Sequence, residues 1–342
     1  MSIVRAIDVG HKNVKWVLDP GGEIACRVFP SRAPVAKQRD LSETLGRKRQ
    51  TVLIDIDGLT YEVGPDTSLA PAPAHNMDDD YCLTDEYLAL VRGALAYMRV
   101  PVIDFLVVGL PMTTFEMRRT ALAKRLTGEH PIADGKSTAV KEVKVLAQPH
   151  GALLEFAVAD ARAQALRSQR NLIVDCGART FDWLVTQGLK VIEQRSHASN
   201  RGMYDVLQVL AEEVGRQFKE QFHDYERLDL ALRTGTRPQV FGRQYDLAPH
   251  LPMARKIARD AVTELRRYVQ DTSDIDNIIV AGGAAFFFMD AIRGAFPHHE
   301  ILEGRDGLYA NVRGFVRYGL ARCAERDRPT AVGAESVPSS GA

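Results

Sequence analysis

The sequence predicts an α/β fold made of two similar halves that face one another. Three observations carry this. A strand, Asp-x-Gly turn, strand unit occurs twice, once near the N-terminus and once in mid-chain. Apolar runs of strand length alternate with longer stretches whose apolar residues recur at helical spacing. A length of 342 residues, 45% of them apolar, is enough for two cores.

The repeat holds both tryptophans of the chain. Residues 7–17 read Ile-Asp-Val-Gly-His-Lys-Asn-Val-Lys-Trp-Val, and residues 174–184 read Val-Asp-Cys-Gly-Ala-Arg-Thr-Phe-Asp-Trp-Leu. Aligned without a gap, Asp8 meets Asp175, Gly10 meets Gly177 and Trp16 meets Trp183. Each copy follows an apolar run, residues 3–7 and 172–174, that reads as a buried strand. Asp-x-Gly alone is common in turns, but two copies with matched flanks point to a duplicated unit. Glycine lets a backbone approach an anion closely, and successive turn N–H groups make a concave anion site. An aspartate at a strand end can hold the water shell of Mg²⁺, an ion that prefers oxygen ligands. The expectation is a phosphate chain and a metal ion held between the turns. Asp8 and Asp175 stand on opposite sides, and Lys15 reaches back to neutralise phosphate charge.

The remaining elements follow in order. Residues 31–50 are polar, with basic residues at 47–49, and read as an exposed loop. Residues 51–63 alternate around Asp57-Gly58, a hairpin signal. Residues 65–80 are rich in Pro, Ala and Asp and read as a loop. A helix is expected over 84–98, capped by Thr84 with Asp85 and Glu86 in its first turn. Residues 103–108 form a strand buried on both faces, ending in Gly109-Leu110-Pro111. Thr113 or Thr114 is expected to cap a helix to about residue 126. Residues 140–146 read as a strand, 147–151 as a break and 152–166 as a helix. After the second repeat come a helix over 200–221, an extended stretch over 237–247 and a helix over 251–269. A strand over 277–281 leads through Gly282-Gly283 into a helix over 284–296. A short strand at 301–302, a helix over 309–323 and a disordered tail from 326 complete the chain.

Composition excludes several function classes. The 44 basic and 44 acidic side chains cancel, so no nucleic-acid or membrane footprint is expected. No window of 18 apolar residues exists. The chain enters a strand by Ile3, which leaves no room for a signal peptide or an amphipathic anchor helix. The four cysteines (Cys26, Cys82, Cys176 and Cys323) are scattered and lack metal spacing. They read as reduced, and the protein as cytoplasmic.

Two further signals bear on chemistry. In the strand and helix around Gly282, Gly283 and Ala284, small residues let a flat ring or ribose approach the backbone, and the helix N-terminus favours phosphate oxygens. An alternative is a tight turn that packs a helix on a sheet. Gln148 lies in a strand-to-helix loop; an amide both donates and accepts, and so can orient an attacking water beside a γ-phosphate. Taken by itself it reads as a surface residue.

Taken in order, Asp8 to Lys15, Gly109-Leu110-Pro111, Gln148, Asp175 to Asp182, Gly282-Gly283 and Tyr309-Ala310-Asn311-x-x-Gly314 resemble the actin, Hsp70 and sugar-kinase superfamily over residues 1–325. Within it the chain is most similar to plasmid-segregation actins of the ParM/StbA type. That likeness rests on Tyr61-Glu62-Val63-Gly64, Val143-x-Val145-x-x-Gln148 and residues 309–315. The resemblance implies an actin-like bilobed fold of two RNase H-like domains with the nucleotide in the cleft between them. Domain I spans 1–155 and 309–325, with an insertion at about 20–100; domain II spans 156–308, with an insertion at about 195–260. It implies ATP or ADP with Mg²⁺ as cofactors. Asp8 and Asp175 organise the metal, and Gly10, His11, Lys12, Asn13 and Gly177, Ala178, Arg179, Thr180 wrap the phosphates through backbone N–H groups. Lys15 neutralises charge, Gln148 positions the hydrolytic water, and Gly282, Gly283 and Ala284 border adenosine. Lys219 or Glu220 is a candidate for ribose or base. His11, Lys12 and Arg179 stand where relatives carry small or hydroxyl residues, which makes an altered rate plausible. The tail and the 31–50 loop are candidate partner sites.

The first functional expectation is an ATPase (an ATP hydrolase) that polymerises head to tail to segregate plasmids or position DNA. It would contact DNA through a DNA-binding adaptor protein rather than directly, and would not bind a membrane. The second is a small-molecule kinase, although Asp55, Asp57, Asp104 and Asp134 sit in no recognised motif for a catalytic base. The third is a non-polymerising, nucleotide-dependent switch or scaffold. The chain is short for most sugar kinases, and no peptide-binding domain follows residue 325, which disfavours a chaperone.

Overall fold

The computed structural model describes residues 2–36, 49–69, 78–159, 162–304 and 306–327. Most of the expected 31–50 loop, part of the 65–80 stretch and nearly all of the expected tail lie outside the described residues.

The chain forms two lobes, each built on a mixed sheet. In the first lobe the strands run in the spatial order Val143–Ala147, Phe105–Leu110, Val4–Val9, Asn13–Asp19, Ala25–Pro30. In the second the order is Ile301–Glu303, Asn277–Ala281, Arg170–Cys176, Phe181–Gln187, Lys190–Val191, with His197–Ser199 also paired to Phe181–Gln187. Numbered by chain order within each lobe, both five-strand paths read 3-2-1-4-5, and in both the fourth and fifth strands run parallel to the first. The duplication legible in two turns therefore extends across both sheets. The registers agree as well. Ile7 pairs with Trp16 and Asp8 with Lys15, while Val174 pairs with Trp183 and Asp175 with Asp182.

Period-two alternation explains where the two aspartates point. Ile7 and Val9 face a core shared with the helix Asp85–Met98, whereas Val4 and Ala6 face the helix Ala310–Arg326. Asp8 belongs to the second set. In the other lobe Leu172, Val174 and Cys176 face the helices Met203–Phe218, Leu251–Val269 and Ala285–Ala295, and Ile173 faces the helix Gln148–Ala159. Asp175 shares the Ile173 face. The helices behind Asp8 and Asp175 cross each other at Gly151 and Gly314, where a Cβ on Gly314 would fall on the Gly151 carbonyl. The aspartates are thus turned toward the junction of the lobes.

Several local expectations hold. Thr84 caps its helix by accepting from the Tyr87 N–H at 3.2 Å. The hairpin Val52–Ile56 and Leu59–Val63 turns through Asp57 and Gly58 with φ of 49° and 83°, the doubly left-handed turn that fits strand twist. Phe105–Leu110 is buried throughout.

Others need correction. Neither Thr113 nor Thr114 caps the next helix, which begins at Met112; its first N–H instead donates to Asp182 Oδ1 of the other lobe at 2.8 Å. The expected 140–146 strand is two, Ser137–Val140 in a small separate sheet and Val143–Ala147 in the main one. Gln148 stands in no loop. It is the first residue of a helix that directly follows the strand, because Pro149 at the second position needs no intrahelical donor. The helix Tyr225–Thr234 was not anticipated, although Asp224 caps it and Gly235 ends it in the left-handed conformation.

Candidate functional site

The two Asp-x-Gly turns close in the same way. Gly10 N–H donates to the Asn13 carbonyl at 3.0 Å, and Gly177 N–H to the Thr180 carbonyl at 2.9 Å. These two amides are therefore spent inside their turns. Both turns open on one pocket of about 580 Å³ between the lobes. Its lining includes Asp8, Gly10, His11, Lys12, Asn13, Lys15 and Gln148 from the first lobe and the helix beside it. From the second it includes Asp175, Gly177, Ala178, Arg179, Thr180, Gly282, Gly283 and Ala284. Every residue singled out for catalysis, metal or phosphate contact lines this pocket. Lys219 and Glu220 do not line it; Lys219 ends the helix Met203–Phe218 with φ of 56°.

The acidic centre is asymmetric. Asp8 is buried, and its oxygens receive Lys15 Nζ at 2.6 Å and Gln148 Nε2 at 2.8 Å. Asp175 is also buried and receives only Asn311 Nδ2, at 2.7 Å, among the described side-chain bonds. Burial pushes the Asp175 carboxyl up to about 6; the Asn311 hydrogen bond opposes this, the Asp8 charge adds to it and Lys15 moderates it. Asp182, behind it, is pushed up to about 7 by burial and by Asp175, against hydrogen bonds from Thr180 and Met112. Gly282 has φ of 91°, and a Cβ there would strike the Asp175 carboxylate and the Cys176 carbonyl. Only glycine allows that approach.

These donors suit a hydrated divalent cation. Asp175 carries charge that no described cation pairs, and the buried Asn311 Oδ1 has no hydrogen-bond partner among the described residues. No group of three or more His, Cys, Asp or Glu side chains that could hold a metal occurs among the described residues. The pair therefore suits an ion such as Mg²⁺, which keeps waters and takes phosphate oxygens rather than an all-protein cage.

Sequence reasoning missed several lining residues, among them Asp229, Arg233 and Phe286. Asp229 accepts Lys12 Nζ across the cleft and also takes Arg233 Nε at 2.6 Å. The Arg233 guanidinium lies 4.4 Å from the centre of the Phe286 ring. Arg179 is engaged by the first lobe: Nη2 pairs with Asp79 Oδ1 at 2.9 Å and Nη1 donates to the Asp78 carbonyl at 3.3 Å. No helix among the described residues is long and apolar enough to cross a membrane.

Two facing lobes with duplicated turns around a shared pocket with a carboxylate from each lobe define an actin-like fold. Family models agree along the chain: residues 6–151 match the N-terminal domain of actin-like proteins, and residues 173–294 match the C-terminal part of MreB-like archaeal actin homologues. The two matches together span most of the chain, which belongs to the actin-like proteins. Among solved structures it is similar to the subunit of a 15-stranded ParM filament from Clostridium botulinum, with a TM-score of 0.76, 18% identity, and coverage of 94% of this chain and 100% of that one. A non-polymerisable quadruple mutant of pCBH ParM gives a TM-score of 0.77 at 18% identity, with the same coverage. An archaeal actin homologue in complex with ADP gives 0.72 at 19% identity, covering 94% and 99%. No curated protein matches the chain.

Proposed function

We propose that the protein is an ATPase that binds Mg-ATP between its lobes and polymerises head to tail into filaments that segregate plasmids or position DNA in the cytoplasm. The observation that carries this reading is the convergence of Asp8, Asp175 and Gln148 on one pocket flanked by the two turns. Superfamily membership and the likeness to filament-forming ParM support it. The shared 3-2-1-4-5 strand order supports reading both sheets as RNase H-like. It also supports a division into domain I, residues 1–155 and 309–325, and domain II, residues 156–308.

In this reading Asp175, with Asp8, holds the waters of Mg²⁺, and the ion neutralises charge on the β- and γ-phosphates. The N–H groups at 11–13 and 178–180 wrap those phosphates. Lys15 leaves part of its charge on Asp8 and offers the rest to phosphate. Gln148 donates to Asp8 through Nε2, which fixes the amide plane and leaves Oε1 to accept a hydrogen bond from the attacking water. Gly282, Gly283 and Ala284 border the nucleoside. Head-to-tail association is the heterologous geometry that builds open filaments, and a DNA-binding adaptor supplies the link to DNA. The kinase alternative has less support, because Asp55, Asp57, Asp104 and Asp134 do not line the pocket, and Asp104 is engaged by Ile3 N–H and Lys141.

Light scattering of the purified chain with Mg-ATP, Mg-ADP or no nucleotide, with phosphate release followed in parallel, tests the proposal. The expected result is a rise with ATP that decays as phosphate appears. Turnover without scattering would replace the filament with a nucleotide-dependent switch, and absence of turnover would remove the ATPase.

A further inference from the structure

Lys12 sits in the middle of the first turn, among the amides expected to face phosphate, yet its ammonium is bound elsewhere. It reaches across the cleft to Asp229 on the helix Tyr225–Thr234. Asp229 is buried and holds a second cation, with Arg233 Nε at 2.6 Å and Arg233 Nη2 at 3.1 Å. Lys12, Asp229 and Arg233 all line the pocket. One turn further up the same helix, Glu226 pairs with Arg32 of the first lobe at 2.8 Å, outside the pocket lining. An ammonium with three donors can serve a carboxylate and a phosphate in turn, but a buried carboxylate that already neutralises it reduces what it offers to an incoming anion.

We propose that Asp229 is an internal competitor for the phosphate site: it holds Lys12 in the ligand-free chain and must give it up when a polyphosphate binds. This rests on the nucleotide reading above. Its sign is opposite to that of a simple clasp. A contact that only helps the lobes close would strengthen binding, so its loss would weaken affinity. A competitor weakens binding, and its loss strengthens affinity. Arg233 makes the exchange feasible, because Asp229 keeps a bidentate partner after Lys12 departs and is not left as a bare buried charge.

The test is calorimetric titration of the full chain with two probes, Mg-ATP and Mg-tripolyphosphate. Asp229→Asn is expected to bind both about tenfold tighter than wild type, the size of one charge-assisted contact. Glu226→Gln, which cuts the neighbouring ion pair on the same helix, is expected to tighten neither affinity. In a Lys12→Gln background Asp229→Asn is expected to add nothing, since the effect runs through Lys12. If Asp229→Asn does not fold, Asp229→Asn combined with Arg233→Gln removes one charge of each sign and carries the same expectation. A folded Asp229→Asn chain that binds equally or more weakly, or a gain that persists without Lys12, overturns the competition alone. If neither probe binds wild type or variant, the nucleotide reading falls together with it.

Discussion

Gln148 and Lys15 divide one buried carboxylate between them, and this makes their roles separable. Gln148→Ala removes a donor to Asp8 and, in the proposed mechanism, the acceptor for water, but leaves the turn amides in place. ATP turnover is expected to fall by roughly 10²-fold or more, while nucleotide affinity moves much less. Parallel measurement of phosphate release and ATP binding checks this, and equal losses would make Gln148 structural. Asp175→Ala is expected to abolish Mg-dependent turnover; a rate that stays magnesium-dependent and unchanged would remove the metal role. These residues were legible because each lies within a few positions of a strand end, where the backbone fixes its direction. Asp229, Arg233 and Phe286 were not. Asp229 and Arg233 sit four apart on a helix remote in sequence from every motif, and only the tertiary fold returns them to the first turn. Lys219 and Glu220, suggested for ribose or base, lie outside the pocket lining.

Among the elements, the crossing of Gln148–Ala159 with Ala310–Arg326 governs how the lobes meet. Gly151 and Gly314 bring the two backbones into contact, and Phe315 closes over Gly109. Gly314→Ala puts a methyl where the Gly151 carbonyl lies. The alanine gains helix propensity, but a forced backbone shift typically costs about 1–3 kcal/mol and outweighs it. A melting temperature lowered by several degrees is the expected outcome; an unchanged one would mean that the helices slide freely. His150, in the first turn of the helix Gln148–Ala159, carries a buried Nδ1 without a partner among the described residues, and burial lowers the ring to about 4. A histidine held below its unfolded value of 6.5 binds fewer protons folded than unfolded between those limits. Its stabilising effect is therefore full above pH 6.5 and is lost as pH falls toward 4. His150→Gln is expected to flatten that part of the stability curve by roughly 1–3 kcal/mol, discounted for partial exposure of the ring. Urea melts at pH 7 and pH 5 check it. Local signals worked where the element supplies its own ends, as with Thr84 or Asp57-Gly58. They failed at Met112, because the carboxylate that meets its N–H comes from Asp182, 70 residues away in the other lobe.

Across the whole molecule, polar ties close the mouth of the cleft. Lys12 meets Asp229, Arg32 meets Glu226, Arg179 meets Asp79, and Tyr204 Oη donates to the His11 carbonyl at 3.2 Å. The crossing glycine helices form a tightly packed part of the same junction. The two sides respond differently to salt. Packed helices are insensitive to it, whereas part-exposed ion pairs weaken as the screening length shrinks to about 3 Å at about 1 M. Asp229 and Arg179 are shielded, but Glu226 and Asp79 are open to solvent. Raising salt should therefore loosen the mouth while the crossing helices act as the hinge. Small-angle scattering of the ligand-free monomer is expected to give a radius of gyration near the roughly 20 Å of a compact chain of this length at low salt. It should be larger by about 1–2 Å at about 1 M, with no loss of helical circular dichroism. Arg32→Gln should produce part of that expansion already at low salt, because it removes a part-exposed cross-lobe ion pair without touching the pocket lining. An invariant radius in both experiments would mean that packing around the crossing helices, and not charge, sets the distance between the lobes.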